Sequence, residues 1–183
     1  RIVRIAEGNA RMAILAGKIA CQANRLDSIN DVTQLYEEYY GRVLCDSELQ
    51  SNAQLLKSAG IIAFLNSLHL DKLDALNDLF SNNGLSTESF ITAMYKLHEL
   101  EIVDIYHDKA VRISEQCFSN FILKYVFFDK KILSLSEMIA VCFNPYRSRV
   151  IHSVNTIVGV FRDKSVHSFV ETEIKMLWKK LST

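Results

Sequence analysis

Residues 101–114 read EIVDIYHDKAVRIS, and this stretch decides the fold. Ile102, Val103 and Ile105 precede a polar corner, His107-Asp108-Lys109, and Val111 and Ile113 follow it. Branching at Cβ stiffens a side chain and suits it to a pleated surface, so β-branched runs on both sides of a polar turn predict a hairpin.

The segments before the hairpin have helical periodicity instead. A helix is expected from about Ser47 through LLKSAGIIAFLNSL, with Leu49, Ala53, Leu56, Ile61, Phe64, Leu65 and Leu68 inward. A short helix follows in DKLDALNDLF, with Leu73, Leu76, Leu79 and Phe80 inward, stopped by Ser81-Asn82-Asn83-Gly84. Ser86 then caps STESFITAMYKLHEL, whose inward stripe is Phe90, Ile91, Met94, Leu97 and Leu100. Three helices followed by a hairpin is the order of a winged helix.

Downstream, Phe118, Phe121, Ile122, Tyr125 and Phe128 fall on one helical face. SLSEMIAVCF, YRSRVIHSVNTIVGVF and HSFVETEIKMLWKKL predict three more amphipathic helices, broken at Asn144-Pro145 and Arg162-Asp163-Lys164. The last is expected to bury Val166, Phe169, Val170, Ile174, Leu177, Trp178 and Leu181. Upstream, Ala10, Ala13, Ala16, Gly17 and Ala20 mark a helix of small residues. A second helix starts near Asp31, with Val32, Leu35, Tyr36, Tyr39 and Tyr40 on one face, and ends near Gly41 or slightly beyond. The expected fold is mainly α: a helical lid bundle over 1–45, a winged helix over 46–115 and C-terminal helix pairs over 116–183.

Composition narrows the function classes. The 183 residues are 49% hydrophobic and 23% charged, which is globular. Lys plus Arg and Asp plus Glu are 21 each, so no overall field favours nucleic acid or an acidic membrane. Cys21, Cys45, Cys117 and Cys142 form no CxxC pair and have no zinc-finger histidine, as suits reduced thiols in a cytoplasmic protein. No apolar run reaches the ~20 residues of a membrane span, and no signal segment is present. The chain starts at Arg1, inside an expected helix, which suggests a piece of a longer protein.

Catalytic motifs fail one by one. Gly17-Lys18-Ile19 has Met12 where a P-loop needs its first glycine, and it lacks the hydroxyl. His98-Glu99-Leu100-Glu101 has Ile102 where a zinc-protease helix needs its second histidine. There is no GxSxG elbow, and His69, His98, His107, His152 and His167 converge on nothing in sequence. The outward positions of the third winged-helix segment, Glu88, Ser89, Thr92, Lys96 and Glu99, set two carboxylates against one ammonium. A DNA reader needs cations toward phosphates and Arg, Asn or Gln toward base edges. Tyr146-Arg147-Ser148-Arg149 is a cationic cluster, either a solvated helix start paired with carboxylates or an anion or partner contact.

One cation stands out. In Gly8-Asn9-Ala10-Arg11, Asn9 is a favoured N-cap, so Arg11 sits where a helix already carries about half a positive charge. Either an anion answers it, or Glu7 or solvent does.

Gly8, Asn9 and Arg11, followed by a small-residue helix and then a winged helix, resemble the STAND class of P-loop ATPases, relatives of the AAA+ family, whose lid carries a Gly-Asn-Pro-Arg motif. Ala10 replaces the proline. Residues 59–62, 97–104 and 111–114 are also similar to winged-helix segments of bacterial STAND ATPases, some of which act in phage defence. The resemblance implies that Gly8, Asn9 and Arg11 face the phosphates of ATP or ADP, with Arg11 reporting their presence. It further implies a nucleotide-binding core upstream in the same chain, a protein partner or self-oligomer, and no catalysis by this segment alone. Two alternatives stay open: a winged-helix DNA-binding regulator, and a helical scaffold using the Phe118–Phe128 or Trp178 faces.

Overall fold

The 101–114 stretch folds as the hairpin its pattern requires, and the computed structural model shows why its corner is so tight. The structure describes residues 10–23, 32–161 and 164–182. Strands β2 (Val103–Tyr106) and β3 (Ala110–Ile113) pair antiparallel, with Val103 opposite Ile113 and Tyr106 opposite Ala110. Lys109 N–H donates to the Tyr106 carbonyl at 2.9 Å, while His107 and Asp108 take φ of 50° and 53°. Two left-handed residues match the right-handed strand twist, although neither is a glycine.

The chain divides into two compact units, Arg1–Gln50 and Ser51–Thr183. In the first, α1 (Ala10–Ala23) packs on α2 (Val32–Asp46). Met12, Leu15, Ala16 and Ile19 are buried, as are Leu35, Tyr36, Tyr40 and Leu44. The α2 helix runs to Asp46, on the far side of Gly41, the position near or slightly beyond which it was expected to end. Glycine in a helix interior costs only ~1 kcal/mol, which tertiary burial of Leu44 readily offsets.

The second unit is built on α3 (Ala53–Leu65), in which every residue from Leu55 to Leu65 is buried except Lys57. It begins later than Ser47 because the Asn52 side chain accepts from the N–H groups of Gln54 and Leu55. A strand, β1 (Leu68–His69), follows where helix was expected and pairs with β3, giving the order β1-β3-β2. Next come a 3₁₀ segment, Leu70–Leu76, and a short helix, α4 (Asn77–Asn82). Helix α5 (Thr87–Glu99) starts at the expected cap. The Ser86 hydroxyl accepts from the Ser89 N–H at 3.0 Å, and the Ser89 hydroxyl accepts from the Ser86 N–H at 2.8 Å. Phe90, Met94 and Leu97 are buried, and Phe80 stacks on Phe90 with ring centroids 4.8 Å apart. The three helices and three-stranded sheet are a winged helix.

Helix α6 (Gln116–Lys124) packs on α3 and runs into a π-turn, Tyr125–Asp129. The wider π-turn brings residues five apart onto one face, and the Lys124 ammonium there contacts both Asp129 carboxylate oxygens at 2.9 Å. The two helices expected either side of Asn144-Pro145 are one element, α7 (Leu135–Val160), bent at Tyr146, whose φ and ψ are −136° and 34°. Proline has no N–H and crowds the preceding turn, so the helix kinks there instead of ending. Helix α8 (Lys164–Leu181) packs on α7, and its Glu173 carboxylate accepts from the Ser136 N–H at 3.0 Å. Val166 and Val170 are buried as expected, but Ile174 and Trp178 are 43% and 73% exposed. The periodicity marked their face correctly, but no described element of this unit covers it.

Candidate functional site

The residues singled out first are only partly described. Gly8 and Asn9 lie outside the described residues. Arg11 falls in the first turn of α1, and its side chain also lies outside the description.

Helix α5 presents Glu88, Thr92, Tyr95 and Glu99 to solvent, with Ser89 and Lys96 half-buried. The Lys96 ammonium pairs with Glu99 at 3.5 Å. On the wing, Arg112 is 3.9 Å from Asp104 and lies over the Tyr106 ring at 5.1 Å. Each of these cations already has a carboxylate beside it, so the face carries little net positive charge for a nucleic-acid backbone.

The histidines separate in space. His98 Nδ1 is 2.9 Å from the Val103 carbonyl, His107 is at the wing tip, and His152 and His167 are exposed on α7 and α8. Among the described residues, no group of three or more His, Cys, Asp or Glu is placed to hold a metal ion, and no helix is long and apolar enough to cross a membrane. Cys117 and Cys142 are buried, and desolvation pushes the Cys142 thiol up to about 12. That thiol is a packing group, not a nucleophile.

A cleft lies elsewhere, between the start of the 3₁₀ segment and the bend of α7. It is an open depression of about 610 Å³, lined by His69, Lys72, Pro145, Tyr146, Arg147 and Arg149 among others. Its construction begins at the end of α3, where Asn66 adopts φ 60° and ψ −43° and Ser67 N–H donates back to the Leu65 carbonyl at 2.6 Å. Just past this tight γ-turn, the Ser67 carbonyl accepts from a guanidinium N–H of Arg149. The Ser153 hydroxyl, one turn along α7, donates to the Phe64 carbonyl. Two carbonyls at the C-terminal end of α3 thus find donors on α7, and the cation is complementary to the negative helix end. Of the two readings of the Tyr146–Arg149 cluster, carboxylate pairing is not seen for Arg147 or Arg149 among the described residues. Arg149 lies over the Tyr146 ring at 5.6 Å, and Arg147 over Phe143 at 5.4 Å. Tyr146 is buried, and its hydroxyl donates to the Lys72 carbonyl at 3.4 Å, joining the two walls. Burial raises the hydroxyl above the ordinary tyrosine range; Arg149 opposes that shift, and Cys142 and Asp71 reinforce it.

Arg147 and Arg149 stand out in the sequence, whereas His69 and Lys72 lie more than 70 positions away, Lys72 in a short expected helix whose inward stripe does not include it. A cluster of arginines with no acidic residue close by was the one signal available. No protein-family model, curated protein or solved structure matches the chain.

Proposed function

We propose that the chain is the helical lid, winged helix and first sensor helices of a STAND-like ATPase, a non-catalytic segment that couples nucleotide state to packing. The observation that carries this reading is the electrostatics of α5. Its exposed face has carboxylates at Glu88 and Glu99, and its cation is paired, so the winged helix is suited to packing against protein. The separate two-helix unit before it and the helices fused to its core behind it support the same reading. In it, Arg11 supplies a guanidinium to nucleotide phosphates bound by a core elsewhere in the protein, and loss or exchange of nucleotide frees the lid.

Two measurements test this. In a protein that includes the nucleotide-binding core, Arg11→Ala should weaken ADP or ATP retention by calorimetry at least tenfold; unchanged affinity refutes the role. For the present chain, a gel shift with duplex DNA at low and high salt should show no binding. A steeply salt-dependent shift would replace the proposal with a DNA-binding regulator. A second reading, a protein-interaction scaffold, is favoured by the exposure of Ile174 and Trp178 on one face of α8. Quenching of Trp178 fluorescence on addition of a candidate partner would support it.

A further inference from the structure

We propose that the cleft between the 3₁₀ segment and the α7 bend binds the phosphate group of a small ligand. Lys72 enters from one wall, and Arg147 and Arg149 from the other. Among the described residues no carboxylate lines the cleft, and none pairs with any of these three cations. Asp71, whose field reaches Tyr146, is an exposed acidic group outside the lining. Three cations against one carboxylate leave a formal charge of two, which matches a phosphate dianion. Like charges gathered in a concavity raise the local potential and concentrate anions there.

The cations are also positioned. A guanidinium held by the Ser67 carbonyl and the Tyr146 ring keeps its remaining N–H groups in a fixed fork, and Arg147 is steadied by Phe143. Planar forks of this kind meet two oxygens of one phosphate at once, which a point-charge ammonium does not. The bend at Tyr146 adds the first turn of the restarted helix to the same wall, with its partial positive charge. A volume of about 610 Å³ leaves room for an organic group beyond the phosphate. The cleft uses no residue of the lid segment and not Arg11, so phosphate binding there is independent of nucleotide contact by Arg11.

The test is titration of the isotope-labelled chain with pyrophosphate and inorganic phosphate, followed by amide shifts and calorimetry. Saturable shifts centred on residues 67–72 and 144–151 are expected. Lys72→Ala with Arg147→Ala, both on exposed side chains, should weaken pyrophosphate binding at least tenfold while leaving the melting curve unchanged. Arg149→Lys, which keeps charge but loses the fork, should weaken it as well. Absence of saturable shifts at these residues, or equal affinity in the double variant, overturns the proposal. Malonate binding as tightly as phosphate overturns the assignment to phosphate. Binding of a DNA oligonucleotide that is lost in the double variant, without pyrophosphate binding, assigns the cleft to a nucleic-acid backbone and overturns the small-ligand proposal.

Discussion

Replacing Gly60 with alanine should destabilise the second unit, although alanine is the better helix former. Gly60 lies inside α3, where an added Cβ would stand 2.8 Å from Leu133 Cδ1 and 3.1 and 3.3 Å from the two γ-methyls of Val126. Carbon atoms in contact prefer about 3.5–4.0 Å. Leu133 and Val126 are 3% and 0% exposed, so neither side chain can swing into solvent. Helix propensity favours alanine by ~1 kcal/mol, and overpacking of this kind costs about 1–3 kcal/mol, so a net loss of about 1 kcal/mol is expected. Gly159 is the control: a Cβ there meets nothing within 4 Å, so Gly159→Ala should stabilise by up to ~1 kcal/mol. Urea unfolding followed by circular dichroism would read both as shifts in midpoint at constant slope. Pairing Gly60→Ala with Leu133→Ala should show a coupling of about 1 kcal/mol, because truncation removes the atom that clashes. Equal stabilisation by Gly60→Ala and Gly159→Ala, with no coupling to Leu133, would refute the close-packing argument.

Two further outcomes follow from local geometry. At the wing tip, His107→Asn with Asp108→Gly substitutes residues that accept positive φ and should raise the unfolding free energy by about 1 kcal/mol, read in the same urea titration. At high pH the Cys142 thiol sets a direction: its folded value, about 12, exceeds the ordinary 9.0, so the folded form holds the proton more tightly. The stability this provides is complete below pH 9 and falls as pH rises toward 12. Cys142→Ala should flatten that decline in pH-dependent melts, and an unaltered slope would remove the thiol as its source.

The hairpin was legible because its cause is local: stiff β-branched residues flank a polar corner, and the partners lie within one stretch of chain. Ser86 was legible for the same reason, since a cap is completed by its own first turn. Leu68 and His69 were not, because two residues become a strand only when Val111 and Ala110 lie opposite them. Pro145 was ambiguous, since a proline can end a helix or bend it, and packing on both sides chose the bend. Trp178 was placed in a core by its period, yet period identifies an apolar face and not the element that covers it. For the candidate site, the sequence displayed Arg147 and Arg149 but not what stands opposite.

By itself, then, the sequence determined the hairpin, the Ser86-capped helix and the order of helices before the wing, because backbone preference and apolar period act over a few residues. Only the tertiary structure decided that the 3₁₀ segment and the bend of α7 face each other across a cationic cleft. That arrangement depends on carbonyls at the end of α3 finding donors on a helix more than 80 residues away. No local pattern encodes a pairing at that separation; it is fixed by the requirement that polar backbone groups turned away from water be satisfied.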